Sequence, residues 1–589
     1  MFRFSRSPFL AALLLFCMQF PAHGEDAKAP AIDPGLAAAD QLFRAGKFAE
    51  AETSYQALVK SDPKLVPAQT GLVRTMLRLQ RLDEALDAVN AALVAQPDSA
   101  ALLAAKGDVQ FRRAEMSDAE LSYLAAKKLN PKEVHAYLGL ARLYRAYSMY
   151  HISYGELQIA HQIAPDDIDV QRAWLGMLPR KERLAAFEAY LAGSHPDDEE
   201  ETKRMTDYLE FLKATVNKPV HECRLVSKVE QTETNLEGIY GENGHRRAGR
   251  RRAGGVNASG SGPPRGLGLS AKLNDVEVHL LLDTGAGGIV LSRKIAEDAG
   301  LTRISTVRYG GIGDKGMQNG YMAVADHIRI GELEFQDCVV AVGDMRSVTD
   351  DGLIGADVFG DYLVDIDLPG KRLKLSPLPK RPEDAVAPTS LISEGEELAN
   401  AERKGEKEGS ATESSGKSSS NSSSNSDSNR KEQKTAANAQ SLPRDRYIAP
   451  EMANWTKVFR FGHALLVPTS VNDSKPMLFG LDTGAFSNIL SLRAARQVAK
   501  VSSDYRDRVN GLSGPVSQVY SSAKVTLSFG HFRQSNQSLI TFDLSGVSSQ
   551  TGTEVSGFLG FEMLRKLELK LDYRDGLVDF VNDRKHAQP

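Results

Sequence analysis

The chain has 589 residues, 25% of them charged, and a formal net charge of −4. That length exceeds what one hydrophobic core organises, so two to four domains are expected. The near balance of charge provides no basic field for a polyanion, which argues against nucleic acid as the partner.

Residues 1–24 open with Arg3 and Arg6, run through an apolar stretch from Pro8 to Phe20, and end on Ala22-His23-Gly24, a small-x-small cleavage pattern. This is the layout of a secretory signal. The apolar stretch is shorter than the ~20 residues a membrane helix needs, and no later segment supplies them. The mature chain is therefore expected to be exported, to the periplasm or the outside of a bacterial cell, with no integral membrane segment. Phe16 stands where a small residue would precede a lipidated cysteine, so Cys17 is expected to leave with the signal. Cys223 and Cys338 then remain, too few for a disulfide framework. Two unpaired thiols are expected, Cys338 in a buried strand, with a single bridge as the alternative.

Pro63, Pro97, Pro131 and Pro165 stand 34 positions apart. A constant period of that length marks stacked repeats. Ala51, Ala85 and Ala119 precede the first three prolines by twelve residues, and Ala92, Ala126 and Ala160 precede the last three by five. Small residues there let paired helices approach, while Tyr55, Tyr123, Leu42 and Leu140 fill the seam. Residues 32–199 resemble tetratricopeptide repeats, with Val73 and Ser153 departing from the usual small residues. The resemblance implies an all-α helical solenoid whose concave face binds an extended peptide or a protein partner; a spacer or self-association module is the plainer alternative.

Residues 200–265 read as a connection. Within it the basic, Gly-rich run HRRAGRRRAGG at 245–255 is expected to form an exposed loop. Residues 380–446 are nearly empty of apolar side chains and are expected to be a disordered Ser/Glu/Lys-rich linker, because they bury too little surface to offset the entropy of ordering.

The segments on either side of that linker, 266–379 and 447–585, are a duplication. LLLDTGAGGIVLS at 280–292 returns as FGLDTGAFSNILS at 479–491. Gly311, Gly331, Gly355 and Asp367 follow Asp283 by 28, 48, 72 and 84 residues; Gly511, Gly530, Gly560 and Asp572 follow Asp482 by 29, 48, 78 and 90. One insertion of six residues accounts for the later difference. Apolar runs of strand length enter both motifs, and Gly-containing turns close both units, so each is a mainly-β domain.

A single Asp-Thr-Gly is a common turn. Two copies, each after an apolar run and each matched later by apolar-apolar-Gly in LIGADVFG and FLGFEMLR, resemble the retropepsin-like aspartic proteases. That resemblance implies two acid-protease lobes with Asp283 and Asp482 as a catalytic pair. Two adjacent carboxylates cannot both ionise, so the pair shares one proton and supplies general base and general acid together. Thr284 and Thr483 are expected to cross-link the active-site loops, with Gly285 and Gly484 permitting close backbone approach. Ile354-Gly355 and Leu559-Gly560 are expected to support the loops from beneath. Flap hairpins over the substrate are expected around Tyr309, Gly310 and Gly311 in the first copy and around Gly511 and Leu512 in the second, with a plain Gly-rich turn as the alternative.

HExxH, CxxC and P-loop patterns are absent from the sequence, so neither a metal nor a cofactor is expected. The leading expectation is an exported aspartic endopeptidase acting on peptide or protein substrates, its repeats recruiting substrate or partner. The alternatives are a non-catalytic repeat scaffold whose lobes hold extended peptides, and self-pairing of each lobe between two chains. A linker of 67 residues spans ~45 Å, which makes pairing within one chain the economical arrangement.

Overall fold

The structure is a computed structural model that describes residues 33–193, 199–216, 224–240, 264–345, 351–382, 444–503 and 508–582. The expected signal at 1–24, the basic run at 245–255 and residues 383–443 of the expected linker lie outside the described residues.

The N-terminal part is a solenoid of paired helices: α1 (Pro34–Arg44), α2 (Phe48–Ser61), α3 (Val66–Arg78), α4 (Leu82–Ala95), α5 (Ala100–Arg112), α6 (Met116–Leu129), α7 (Val134–Ala146), α8 (Tyr150–Ile163), α9 (Ile168–Leu175) and α10 (Arg180–Ala192). The seam follows the small-residue pattern. The Tyr123 ring lies between Gly107 and Gly139, where an added Cβ would come within 2.5 and 2.2 Å of it, and Tyr55 lies against Gly71 in the same way. Ala51, Ala85 and Ala119 are fully buried. At the departures, Val73 is buried in the seam and Ser153 Oγ donates to the Ala141 carbonyl at 2.7 Å. Each turn inside a repeat passes through a left-handed residue at the same 34-residue interval: Gly46, Gln80, Ala114 and Ser148, with φ of 72°, 59°, 62° and 57°.

Two β lobes follow, built alike. In the first, the strand Gly266–Leu273 pairs antiparallel with Val276–Asp283, which runs parallel to Gly352–Gly355 with Asp283 opposite Gly355. In the second, Ala464–Val471 pairs with Met477–Asp482, which runs parallel to Gly557–Gly560 with Asp482 opposite Gly560. The identical register is the structural form of the duplication.

The lobes are joined by a shared antiparallel sheet. Tyr362–Asp367 pairs with Glu568–Asp572, flanked by Arg372–Pro377 and Leu577–Val581. One apolar core therefore runs through both lobes, from Leu280 and Ile354 to Leu481 and Leu559. Both ends of the long connection meet at one carboxylate: Asp575 pairs with Arg381 at 2.5 Å and accepts from the Tyr447 N–H at 2.9 Å.

Two readings of the sequence are corrected here. The segment 200–265 is more than a connection: Thr232–Ile239 bridges Arg372–Pro377 and Gly266–Leu273, so it belongs to the first lobe's sheet. Cys338, fully buried, is disulfide-bonded rather than an unpaired thiol. The other two cysteines of the chain, Cys17 and Cys223, lie outside the described residues.

The solenoid is docked on the lobes. Thr553 Oγ1 donates to the Phe111 carbonyl at 2.6 Å, and the Glu554 N–H to that of Arg112 at 2.9 Å. Arg493 links Asp83 of α4 to Glu554. One apolar cluster continues from Phe111, Leu140 and Leu143 into Leu466, Ile489 and Phe558 of the second lobe. A further helix, α11 (Glu199–Thr215), reaches the first lobe, where Thr306 Oγ1 donates to Asp207 at 2.9 Å.

Candidate active site

Asp283 and Asp482 each end a strand of their lobe, at two-fold-related positions, and the pairing of the lobes brings them face to face. A Cβ added at Gly285 would lie 2.7 Å from the Asp482 carboxyl carbon, and one at Gly484 would lie 2.4 Å from that of Asp283. Each carboxyl thus rests against the opposite loop's glycine, a space any larger residue would fill.

The threonines between them knit the loops together. Thr284 Oγ1 donates to the Leu481 carbonyl at 2.9 Å and accepts from the Thr483 N–H at 3.0 Å. Thr483 Oγ1 donates to the Leu282 carbonyl at 2.8 Å and accepts from the Thr284 N–H at 3.0 Å. All four bonds are buried, where an unmade bond is most costly.

Beneath the loops, Ile354 and Leu559 are fully buried. The Gly355 N–H donates to the Gly288 carbonyl at 2.7 Å, and the Gly560 N–H to Asn488 Oδ1 at 2.8 Å. A Cβ at Gly355 would come within 2.4 Å of the Ala286 carbonyl oxygen, and one at Gly560 within 2.4 Å of that of Ser487.

The two carboxyls hydrogen-bond one another, and both are held above the usual carboxylate range. For Asp283 burial is the largest cause and the adjacent Asp482 charge the next. For Asp482 burial is again the largest, offset by backbone N–H donors. Asp482 Oδ1 accepts from Gly484 at 2.9 Å and Ala485 at 2.7 Å, whereas among the described residues Asp283 Oδ1 accepts from one N–H, that of Gly285, at 2.8 Å. Two N–H donors favour the ionised form more than one does, so the shared proton is biased towards Asp283.

The hairpins expected as flaps meet at their tips. The Gly311 N–H donates to Ser513 Oγ at 3.0 Å, the Ser513 N–H to the Ile312 carbonyl at 2.9 Å, and the Lys315 N–H to the Ser513 carbonyl at 3.0 Å. A Cβ at Gly310 would sit 2.7 Å from Met317 Sδ, and one at Gly511 would sit 2.3 Å from the Ile312 carbonyl oxygen. Leu512 packs against the first lobe's Leu281, Val290 and Leu353. Ile312 packs into the second lobe's cluster. Tyr309 is buried at the flap base, its ring against Gly320 and Gly343 and its hydroxyl accepting from the Asp344 N–H at 2.6 Å, so packing accounts for it.

Sequence reasoning missed three residues near the site. Ser513 joins the flaps, and its hydroxyl gives no pattern in the chain. Asp357 is a half-buried carboxylate that accepts from the Gly288 N–H at 3.0 Å and so holds the loop that follows Asp283. An acid at the same place in both copies, Asp357 and Glu562, was the available signal. His463 lies in the turn between Phe459–Phe461 and Ala464–Val471 of the second lobe and covers Gly287 of the first lobe's loop. Among the described residues, no group of three or more His, Cys, Asp or Glu side chains could hold a metal, and no helix is long and apolar enough to cross a membrane.

Residues 269–358 and 467–563 match the profile of the family described as Aspartyl protease, and residues 42–109 that of the Tetratricopeptide repeat. Over 103 residues the chain is 35% identical to the DNA damage-inducible protein 1 of Neurospora crassa, a stretch that is 17% of this chain and 23% of that protein. The chain thus spans about a quarter of the length of this relative. It is also similar to a thermophilic TPR protein from Thermus thermophilus (18% identity, 30% of this chain and 97% of that one, TM-score 0.25). A further similarity is to MamA (22% identity, 29% and 98%, TM-score 0.19).

Proposed function

From two retropepsin-like aspartyl-protease lobes and a tetratricopeptide array on one chain, we propose an exported aspartic endopeptidase whose single site is shared by the lobes. The observation that carries this reading is the contact of Asp283 and Asp482 across threonine-linked loops, with unequal hydrogen bonding that separates a proton donor from a base. Asp482 takes a proton from the attacking water while Asp283 donates to the scissile carbonyl, and the tetrahedral intermediate collapses as Asp482 passes its proton to the leaving amine nitrogen and Asp283 recovers its own from the carbonyl oxygen. The flaps offer backbone groups to an extended peptide and exclude water when closed. Pairing of the lobes within one chain supports one shared site over self-paired lobes in two chains.

Export is supported by the N-terminal signal pattern and by the Cys338 disulfide, since such bonds persist in oxidising compartments. Recruitment of substrate or partner by the repeats rests on the habit of such arrays, here docked directly on the second lobe.

The test is cleavage of casein by the mature chain across the acid-to-neutral range, beside Asp283→Asn and Asp482→Asn. Each single substitution is expected to lower turnover by about 10²-fold or more. About half the activity in either variant would show two independent sites instead. A folded wild-type chain that cuts nothing would favour a peptide-holding scaffold.

A further inference from the structure

The two active-site loops are alike through Asp-Thr-Gly-Ala and then diverge. The next residue is Gly287 in the first lobe and Phe486 in the second. The space a side chain would take at Gly287 is filled by the other lobe: a Cβ there would lie 2.5 Å from His463 Nδ1 and 2.7 Å from its Cγ. At the equivalent position Phe486 is 41% exposed, unusual for a large apolar side chain beside a polar centre. The imidazole is also solvent-exposed, and it is near enough for a positive charge on it to favour the ionised forms of both Asp283 and Asp357. Arg460, three residues earlier, donates to the Tyr150 hydroxyl and the Tyr573 carbonyl, both at 3.0 Å, and its charge likewise favours the ionised form of Asp357.

We propose that His463 is a specificity-determining residue of this site, selecting a carboxylate side chain on one flank of the scissile bond while Phe486 selects an apolar one on the other. A duplicated site begins with two equivalent flanks, and an extended peptide lying across the dyad meets one loop after the other. Three residues separate Gly287 and Phe486 from their aspartates, so both act on flanking substrate residues and not on the reacting carbonyl. An imidazolium and a peptide carboxylate form a charge-assisted hydrogen bond, whereas the exposed phenyl ring gains by covering apolar surface. The asymmetry gives the peptide a preferred direction through the cleft.

This inference rests on the aspartic-protease reading, and the experiment separates the two. The mature chain is given a diverse peptide library, and the cleavage sites are compared for wild type, His463→Ala, His463→Arg and Phe486→Ala. Wild type is expected to show acidic residues enriched at one flanking position and apolar residues at the mirror position. His463→Ala loses the acidic enrichment, His463→Arg keeps it, and Phe486→Ala loses the apolar one. With a matched Glu/Gln peptide pair, His463→Ala raises KM for the Glu peptide about tenfold while kcat stays within about twofold. An active chain whose cleavage pattern is the same with and without His463 overturns this inference alone. A chain that cuts nothing overturns the protease reading and this inference with it.

Discussion

Thr284 and Thr483 exchange hydrogen bonds across the lobe interface, each hydroxyl accepting from the other's backbone N–H and donating to the carbonyl two residues before the other threonine. The arrangement fixes the loops that present the aspartates. Removing one hydroxyl orphans a buried N–H and a buried carbonyl. Thr284→Ala is therefore expected to lose about 2–4 kcal/mol of stability, whereas Thr284→Ser keeps the bonds and most of the stability. Denaturant unfolding of the two variants beside the wild type measures the difference.

Asp283→Asn is expected to lower turnover by about 10²-fold or more and yet to stabilise the fold at neutral pH. Asp283 is held above its unfolded value by burial and by Asp482, so the native state keeps a proton that the unfolded state releases above about pH 4. Stability therefore falls as pH rises from there towards the folded value, and Asn removes that loss. The gain is present above about pH 4, where the unfolded carboxyl ionises, and vanishes below it. Thermal melts at several pH values distinguish this from a pH-independent packing effect.

The shared sheet carries a second such carboxylate. Burial, and after it the Glu568 charge, push Asp365 up to about 7. Lys570 contacts both acids, at 4.0 and 3.2 Å, and only partly offsets the effect. Because the folded value is raised, the sheet is strongest in acid and weakens as pH rises through about 7. Asp365→Asn is expected to leave stability unchanged below about pH 4 and to raise it by on the order of 2 kcal/mol above pH 7. A flat difference across that range would show that the carboxylate does not titrate in the sheet.

Ala114 holds φ at 62° where the first repeat has Gly46. A Cβ disfavours that conformation by about 1–2 kcal/mol, and Gly gives up part of this in unfolded-chain entropy. Ala114→Gly is expected to raise the melting temperature by a few degrees, corresponding to about 0.5–1 kcal/mol. A lower melting temperature would mean that the methyl's packing against the second lobe outweighs the relief of strain.

What the chain determined by itself was whatever repeats within it. The 34-residue interval announced the solenoid because each repeat must bury the same seam against its neighbour. The second Asp-Thr-Gly announced a paired site because two carboxylates in one duplicated fold have a common chemical reason to stand together. The resemblance those motifs carry to retropepsin-like proteases implied the places of Thr284, Thr483 and the supporting Ile354-Gly355 and Leu559-Gly560. Tertiary structure alone decided what depends on meetings between distant segments. Thr232–Ile239 looks like part of a connection until it finds two strands of the first lobe to bridge. Ser513 becomes a flap latch only where the tips meet. His463 gains its place only because the second lobe's turn lands on Gly287, 176 residues earlier in the chain. Periodicity records what neighbours in sequence must do together, whereas a contact between lobes leaves no period, since its geometry is set by how two finished surfaces fit.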